Sequence, residues 1–400
     1  MDIGQLIQQH YSAALACLIK RLSDIEKAED ALQEASIAAL AQWPKELPKS
    51  PLAWLIRVAY NASIDQFRKT NKLTPQSTME LTEQAQSITQ VDYELDDAIL
   101  RLMFVCCHPA ISQENQLAIT LKLVLGLQQQ DIARALLIPE KTLEQRITRA
   151  KRKIKLKNID FSLPAPHKLS ARLPAVLKIL YLIFNEGYHA TSGEKVLCNQ
   201  LCQHAITLLR TVCRNFRGQA SCTALLSLML FTHARVNARS ENKIITLEQQ
   251  DRRLWDKNAI TQADILLQKS LKLGEVCHYH IEAAISGLHC QADSFETTDW
   301  QQICLLYEKL LTYHYTPVIQ INRAVAYMMV ENWPKAEDIL MSIEHSVANY
   351  PPYHAALAKL YQHTQRQHKA LSSLDTAMQL SKNHAEIAYF SQCQNDIKNG

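Results

Sequence analysis

The stretch QLAITLKLVLGLQQQDIARALLIPEKTLEQRITRAKRKIK, Gln116 to Lys155, decides how the chain is read. Its apolar residues recur at helical spacing rather than alternating. Leu117, Leu121, Val124 and Leu125 make a helix that ends near Gly126. Gln130 to Leu136 make a short helix, Leu137 to Pro139 a tight turn, and Glu140 onward a longer helix, with Ile132, Ala133, Leu136, Leu143 and Ile147 holding the last two together. This is a helix-turn-helix pattern. Its last part, Ile138 to Lys155, sets seven Lys and Arg residues against two acids. With Leu143, Ile147 and Ala150 facing inward, Glu140, Lys141, Thr142, Glu144, Gln145, Thr148 and Arg149 face outward. A helix-turn-helix lays that side of its second helix in the DNA major groove. There Arg and Lys read guanine, Gln adenine and Glu cytosine, while Arg152, Lys153 and Lys155 are better placed for phosphates. A basic helix alone is as well explained by a solvated face; the turn and the helix before it favour DNA. One such module makes roughly six phosphate contacts and binds on the order of micromolar, largely without specificity, so a second reader is needed.

The rest of the composition agrees with helices. Four hundred residues exceed one compact core, and 47% apolar residues suffice to fill two to four domains. Gly and Pro number only 8 and 13, which disfavours turn-rich sheet, so the expected fold class is all-α. A net charge of +4 excludes a polycation that coats nucleic acid indiscriminately. Eleven scattered cysteines do not form a disulfide framework and suit a reducing cytoplasm. The N-terminus does not read as a signal peptide, and no run of eighteen apolar residues suggests a membrane span.

The expected second reader lies near the N-terminus. In AEDALQEASIAALAQW, Ala28, Ala31, Leu32, Ala35 and Ala39 form one apolar stripe, leaving Asp30, Gln33, Glu34 and Ile37 on another face. Ser50-Pro51 is an N-cap followed by proline at the first helical position, opening PLAWLIRVAYNASIDQFRK. Leu52, Leu55, Ile56, Ala59 and Ser63 make its buried stripe, and Trp54 reads as core. Asn71 to Gln90 is polar and weakly periodic, a linker. Toward the C-terminus a thirty-four-residue repeat emerges: Pro317 with Pro351, Ala324 with Ala358, Tyr327 with Tyr361, Ala336 with Ala370, and Leu340 with Leu374. That is the tetratricopeptide period, and a capping helix follows from Asn383.

Three clusters suggest enzyme or metal chemistry, and each has a plainer reading. Cys106-Cys107-His108 lacks the second pair a zinc site needs. His278 and His280 do not share a helix face. Asn185-Glu186-Gly187-Tyr188 reads as a helix end with a turn. No phosphate loop, nucleophile elbow or paired-carboxylate site is recognisable, so neither an enzyme nor a cofactor is expected.

Taken together, AEDALQEASIAALAQW and SPLAWLIRVAYNASIDQFRK resemble region 2 of a bacterial sigma factor of the extracytoplasmic-function type, and the Gln130 to Lys153 helix-turn-helix resembles region 4. YLIFNEGYHATSG, EQQDRRLWD, HIEAAISGLH, TDWQQICLLYEKL and INRAVA are similar to a sigma subfamily with a tetratricopeptide-like C-terminal extension. The resemblance implies core RNA polymerase and promoter DNA as partners, a possible protein or peptide regulator at the repeats, and a cytoplasmic location. It assigns core-polymerase binding to Asp30, Gln33, Glu34 and Ile37. It assigns the minus-ten element to Lys49, Ser50, Arg57, Asn61, Arg68 and Lys69. The minus-thirty-five element falls to Lys141, Thr142, Glu144, Gln145, Arg146, Thr148, Arg149 and Arg152; Glu144 stands where such factors often carry a basic residue. The implied domains are region 2 over 1–70, a linker over 71–95, region 4 over 96–157, a helical extension over 158–311 and repeats over 312–400. A one-component helix-turn-helix regulator with a repeat-domain sensor is the alternative.

Overall fold

The computed structural model describes residues 2–70, 91–136, 138–188, 198–240 and 242–399. Among these residues there is no β-strand, and the fold is all-α. Two compact units divide the chain, Met1–Leu182 and Ile183–Gly400.

In the first unit, Asp2 and Asp24 accept hydrogen bonds from the free N–H groups at the starts of α1 (Ile3–Leu22) and α2 (Ile25–Gln42). The apolar stripe on α2 is buried as its spacing requires, with Ala28, Leu32, Ala35 and Ala39 fully inaccessible. Ser50 accepts from the Ala53 N–H at 3.4 Å to open α3 (Pro51–Thr70). Leu55, Ile56, Ala59 and Ser63 are buried there, while Leu52 is only half-buried. The expected linker over Asn71 to Gln90 lies outside the described residues.

The helix α4 (Val91–Cys106) begins before the expected boundary at Asp96. It is followed by α5 (Gln113–Leu123), α6 (Gln129–Ala135) and α7 (Glu140–Leu156). Gly126 turns the chain out of α5 at φ +65°, a left-handed conformation that glycine adopts without strain. Ile132, Ala133, Leu143 and Ile147 are buried at the crossing of α6 and α7, and Leu136 is half-buried beside them. Cys106 and Cys107 belong to this core, where burial pushes both thiols up, Cys107 to about 12. Arg172, on α8 (Pro166–Tyr188), donates to the Phe104 carbonyl at 2.6 Å.

In the second unit, Asn185-Glu186-Gly187-Tyr188, expected as a helix end with a turn, forms the last turn of α8, which reaches Tyr188 through Gly187. A Cβ there would lie 2.8 Å from the Leu201 Cβ, so glycine permits close approach to α9 (Asn199–Asn215). The nearly all-apolar α10 (Ala220–His233) is the centre of the unit, packed on α9, α11 (Lys257–Leu271) and α12 (His278–Gln291). Arg252 donates to the His289 and Ala292 carbonyls, both at 2.6 Å, at the C-terminal end of α12. Its guanidinium also sits over the Trp255 ring at 4.5 Å, which gives EQQDRRLWD a structural task. His280 accepts from the Cys277 N–H at 3.1 Å at the start of α12.

After α13 (Trp300–Tyr313) come α14 (Pro317–Met329), α15 (Trp333–Val347), α16 (Pro351–His363) and α17 (Gln367–Leu380). α14 pairs with α15 and α16 with α17, in register with the sequence repeat. Ala324, Ala336, Leu340, Ala358, Ala370 and Leu374 are buried at the crossings. The repeat extends to the backbone: Glu331 and Gln365 both take positive φ, 60° and 56°. The next N–H in each case donates to the equivalent tyrosine carbonyl, Asn332 to Tyr327 at 2.9 Å and Arg366 to Tyr361 at 2.8 Å. Asn383 caps α18 (His384–Asn399), donating no charge but accepting from Ala385 N–H at 2.9 Å.

Glu308 ties α13 to the repeat, accepting from Tyr327, Arg323 and Lys335; these bonds hold its carboxyl down to about 2. A depressed carboxylate contributes stability above the ordinary carboxylate range and loses it as pH falls toward its folded value. Glu308→Gln should therefore lower the Tm by about 2–4 °C at neutral pH, with the gap to the parent closing as pH is lowered toward about 2; calorimetry across pH checks this.

Candidate nucleic-acid interface

Three surfaces of the first unit carry the residues singled out in the sequence. On α2, Asp30, Gln33, Glu34 and Ile37 all lie at the surface, and Ile37 is 62% exposed. Leu40, at 53% exposure, extends the apolar part of this surface; the sequence reading missed it, though it follows Ile37 by one helical turn.

The second surface is the corner between α2 and α3. A cavity of about 420 Å³ opens there, lined by Gln42, Trp43, Lys45, Glu46, Pro48 and Trp54. Trp43 and Trp54 meet edge to face with centroids 5.5 Å apart. Trp54 is only half-buried, so it is part of the cavity wall rather than the core it was expected to join. The Trp43 indole N–H is buried and finds no acceptor among the described residues. Arg57 and Asn61 continue from Trp54 along one face of α3 at helical spacing, and both are exposed, as is Lys49. Ser50, also expected at this surface, has its hydroxyl engaged at the start of α3. Arg68 and Lys69 belong to α3, but their side chains lie outside the described residues. A cavity with two indoles, polar edges and a nearby cation has the components that hold an unstacked base.

The third surface is the outer side of α7. Lys141, Glu144, Gln145, Thr148, Arg149 and Arg152 are exposed and Thr142 is half-buried, while Leu143, Ile147, Ala150 and Ile154 form the buried stripe. Arg146 differs from its neighbours. It bonds Glu114 at 2.7 Å, at the start of α5, and braces the helix-turn-helix from within. Lys155, expected near phosphate, instead pairs with Glu26 at 3.0 Å. Among the described residues no group of three or more His, Cys, Asp or Glu side chains is placed to hold a metal, and no helix is long and apolar enough to cross a membrane.

The expected surfaces thus lie on two helical stretches, α2–α3 and α5–α7. Comparison with known families matches three stretches of the chain. Residues 6–73 match Sigma-70 region 2, and residues 101–154 match Sigma-70, region 4. Residues 172–271 match a family of unknown function, DUF6596. An uncharacterized protein of Rhizobium meliloti (strain 1021) is 37% identical over 387 residues, covering 94% of this chain and 91% of the relative. The chain belongs to the sigma-70 family, whose regions 2 and 4 serve promoter recognition. No solved structure matches it.

The geometry separates two neighbouring arginines. Arg146→Ala should lower the thermal midpoint by about 2–4 °C through loss of the Glu114 brace, whereas Arg149→Ala should leave it within about 1 °C; circular dichroism melts decide.

Proposed function

We propose that the protein is a promoter-specificity factor of the extracytoplasmic-function type, which binds core RNA polymerase through α2 and directs initiation at promoters with two short elements. The observation that carries the reading is the cavity between Trp43 and Trp54, which adjoins the exposed face of Arg57 and Asn61. A base turned out of the duplex would stack on the half-buried Trp54, which Trp43 backs from within, and meet Gln42, Lys45 and Glu46 at its edge. Arg57, Arg68 and Lys69 would hold the strand's phosphates, with Lys49 and Ser50 at the rim. Capture of an unpaired base couples recognition to melting, because the base is available only once the pair is broken.

Region 4 supplies the second element. α7 lies in a major groove with Lys141, Thr142, Glu144, Gln145, Thr148 and Arg149 toward base edges and Arg152 on phosphate. Asp30, Gln33 and Glu34 dock on a basic helix of the polymerase, and Ile37 with Leu40 bury their exposed apolar surface there. The paired helices α14 to α17 are a tetratricopeptide-like module whose surface receives a protein or peptide regulator. A one-component regulator that never meets polymerase leaves the acidic and apolar face of α2, and the whole match to region 2, without a use.

Affinity for core polymerase tests the reading. Asp30→Ala/Gln33→Ala should weaken binding by about tenfold or more without loss of helicity, and Trp54→Ala should spare core binding while reducing strand opening, read by permanganate reactivity of promoter thymines. Unchanged core affinity in the double variant would remove α2 from the interface.

A further inference from the structure

We propose that the second unit binds a phosphate-bearing ligand at the corner where Arg235, Arg252, Trp255 and His289 converge. The site lies outside regions 2 and 4, and it stands whether or not the promoter-factor reading does.

Three segments meet at this corner. Arg235 follows the end of α10, a turn of 3-10 helix over Arg252–Leu254 leads into Trp255, and α12 contributes His289 from its last turn. The Asp256 N–H donates to the Ala234 carbonyl at 2.8 Å, and the Cys290 thiol donates to the Phe231 carbonyl at 3.5 Å. These bonds fix the segments on one another. What they bring together is one-sided: Arg235 Nε, Arg252 Nη2, Trp255 Nε1 and His289 Nδ1 are all buried, with no hydrogen-bond partner among the described residues. A buried donor left unmet is costly and native folds leave few, so four in one corner require a shared acceptor. Arg252 already spends its Nη1 on the His289 and Ala292 carbonyls, which leaves Nη2 unused.

Charge selects the acceptor. Burial and the charges of Arg235 and Arg252 push the His289 imidazole down to about 3, so the ring is neutral near neutral pH while both guanidinium groups stay charged beside it. Asp293 and Glu296 act on Arg252 through charge without a hydrogen bond, and Glu282 shares Tyr307 with Arg235 in the same way. Water would satisfy the four nitrogens and leave two like charges together, and a carboxylate would offset only one of them. A phosphate dianion offsets both and presents several oxygens, which the fixed fork of arginine is suited to hold. The carbonyl end of α12 would repel an anion, but Arg252 Nη1 covers it. Arg235, Arg252 and His289 are each partly exposed, so a ligand reaches the corner from the surface.

The test is titration calorimetry of the full-length chain with inorganic phosphate, against chloride at matched ionic strength. One saturable site is expected, and the thermal midpoint should rise as it fills. Arg235→Gln is the decisive variant, because Arg252 also caps α12 and its loss would disturb the fold. Arg235→Gln should keep the parent's helicity and weaken phosphate binding by about tenfold or more. Arg253→Gln removes a neighbouring arginine that is 90% exposed and paired with Asp251, and should bind phosphate as the parent does. Competition by a phosphomonoester, glycerol phosphate, would assign the site to a phosphorylated metabolite, and its failure to compete would assign it to free phosphate. No saturable binding, the result if water alone fills the corner, overturns the proposal. Equal binding by the parent and Arg235→Gln overturns it too, marking an adventitious ion only.

Discussion

The whole first unit depends on the burial of α1 from every side. Ala14, Leu15, Ala16, Cys17, Leu18 and Ile19 are consecutive and all at most 4% exposed. A helix of a two-layer bundle buries one stripe and wets the other. Here α2 and α3 cover one side and α4 the opposite side, so the apolar residues of α1 serve two modules at once. Removing either partner would leave several large side chains in water at roughly 1.5–3 kcal/mol each, far more than any ion pair at the seam supplies.

That ordering of magnitudes assigns different tasks to the two kinds of contact. Apolar burial supplies most of the energy, and Gly126, left-handed at φ +65°, lies close against Ser12. The lysine–glutamate pairs, Lys151 with Glu29 and Lys155 with Glu26, contribute little net energy beside it. On α7, likewise, Arg146 is paired with Glu114 while Arg149, one turn away, stays exposed.

Much of this was legible in the sequence because helical periodicity is a strong signal. The stripes on α2 and α7, the proline-started helices at Pro317 and Pro351 and the thirty-four-residue register all appear as the spacing requires, while the turn expected over Leu137 to Pro139 includes Leu137, which lies outside the described residues. What escaped depends on contacts between distant residues. Gly187 stood out only as part of an expected helix end; the approach of Leu201 shows it serving close packing. Arg146 sits among outward-facing neighbours and is withdrawn by Glu114, thirty-two positions earlier. Trp54 looked like core because an aromatic inside a helix usually is, yet its partner Trp43 and the corner between two helices make it a wall. The paired left-handed residues Glu331 and Gln365 carry no glycine to announce them.

The most direct measurement of the central claim is sequencing of transcripts made on total genomic DNA by core polymerase with and without the purified chain. The account predicts new, discrete start sites that appear only with both components and share two short upstream elements at nearly constant separation. DNA occupancy by the chain alone, with no new start sites when polymerase is added, would contradict it and return the helix-turn-helix to the service of a simple DNA-binding regulator.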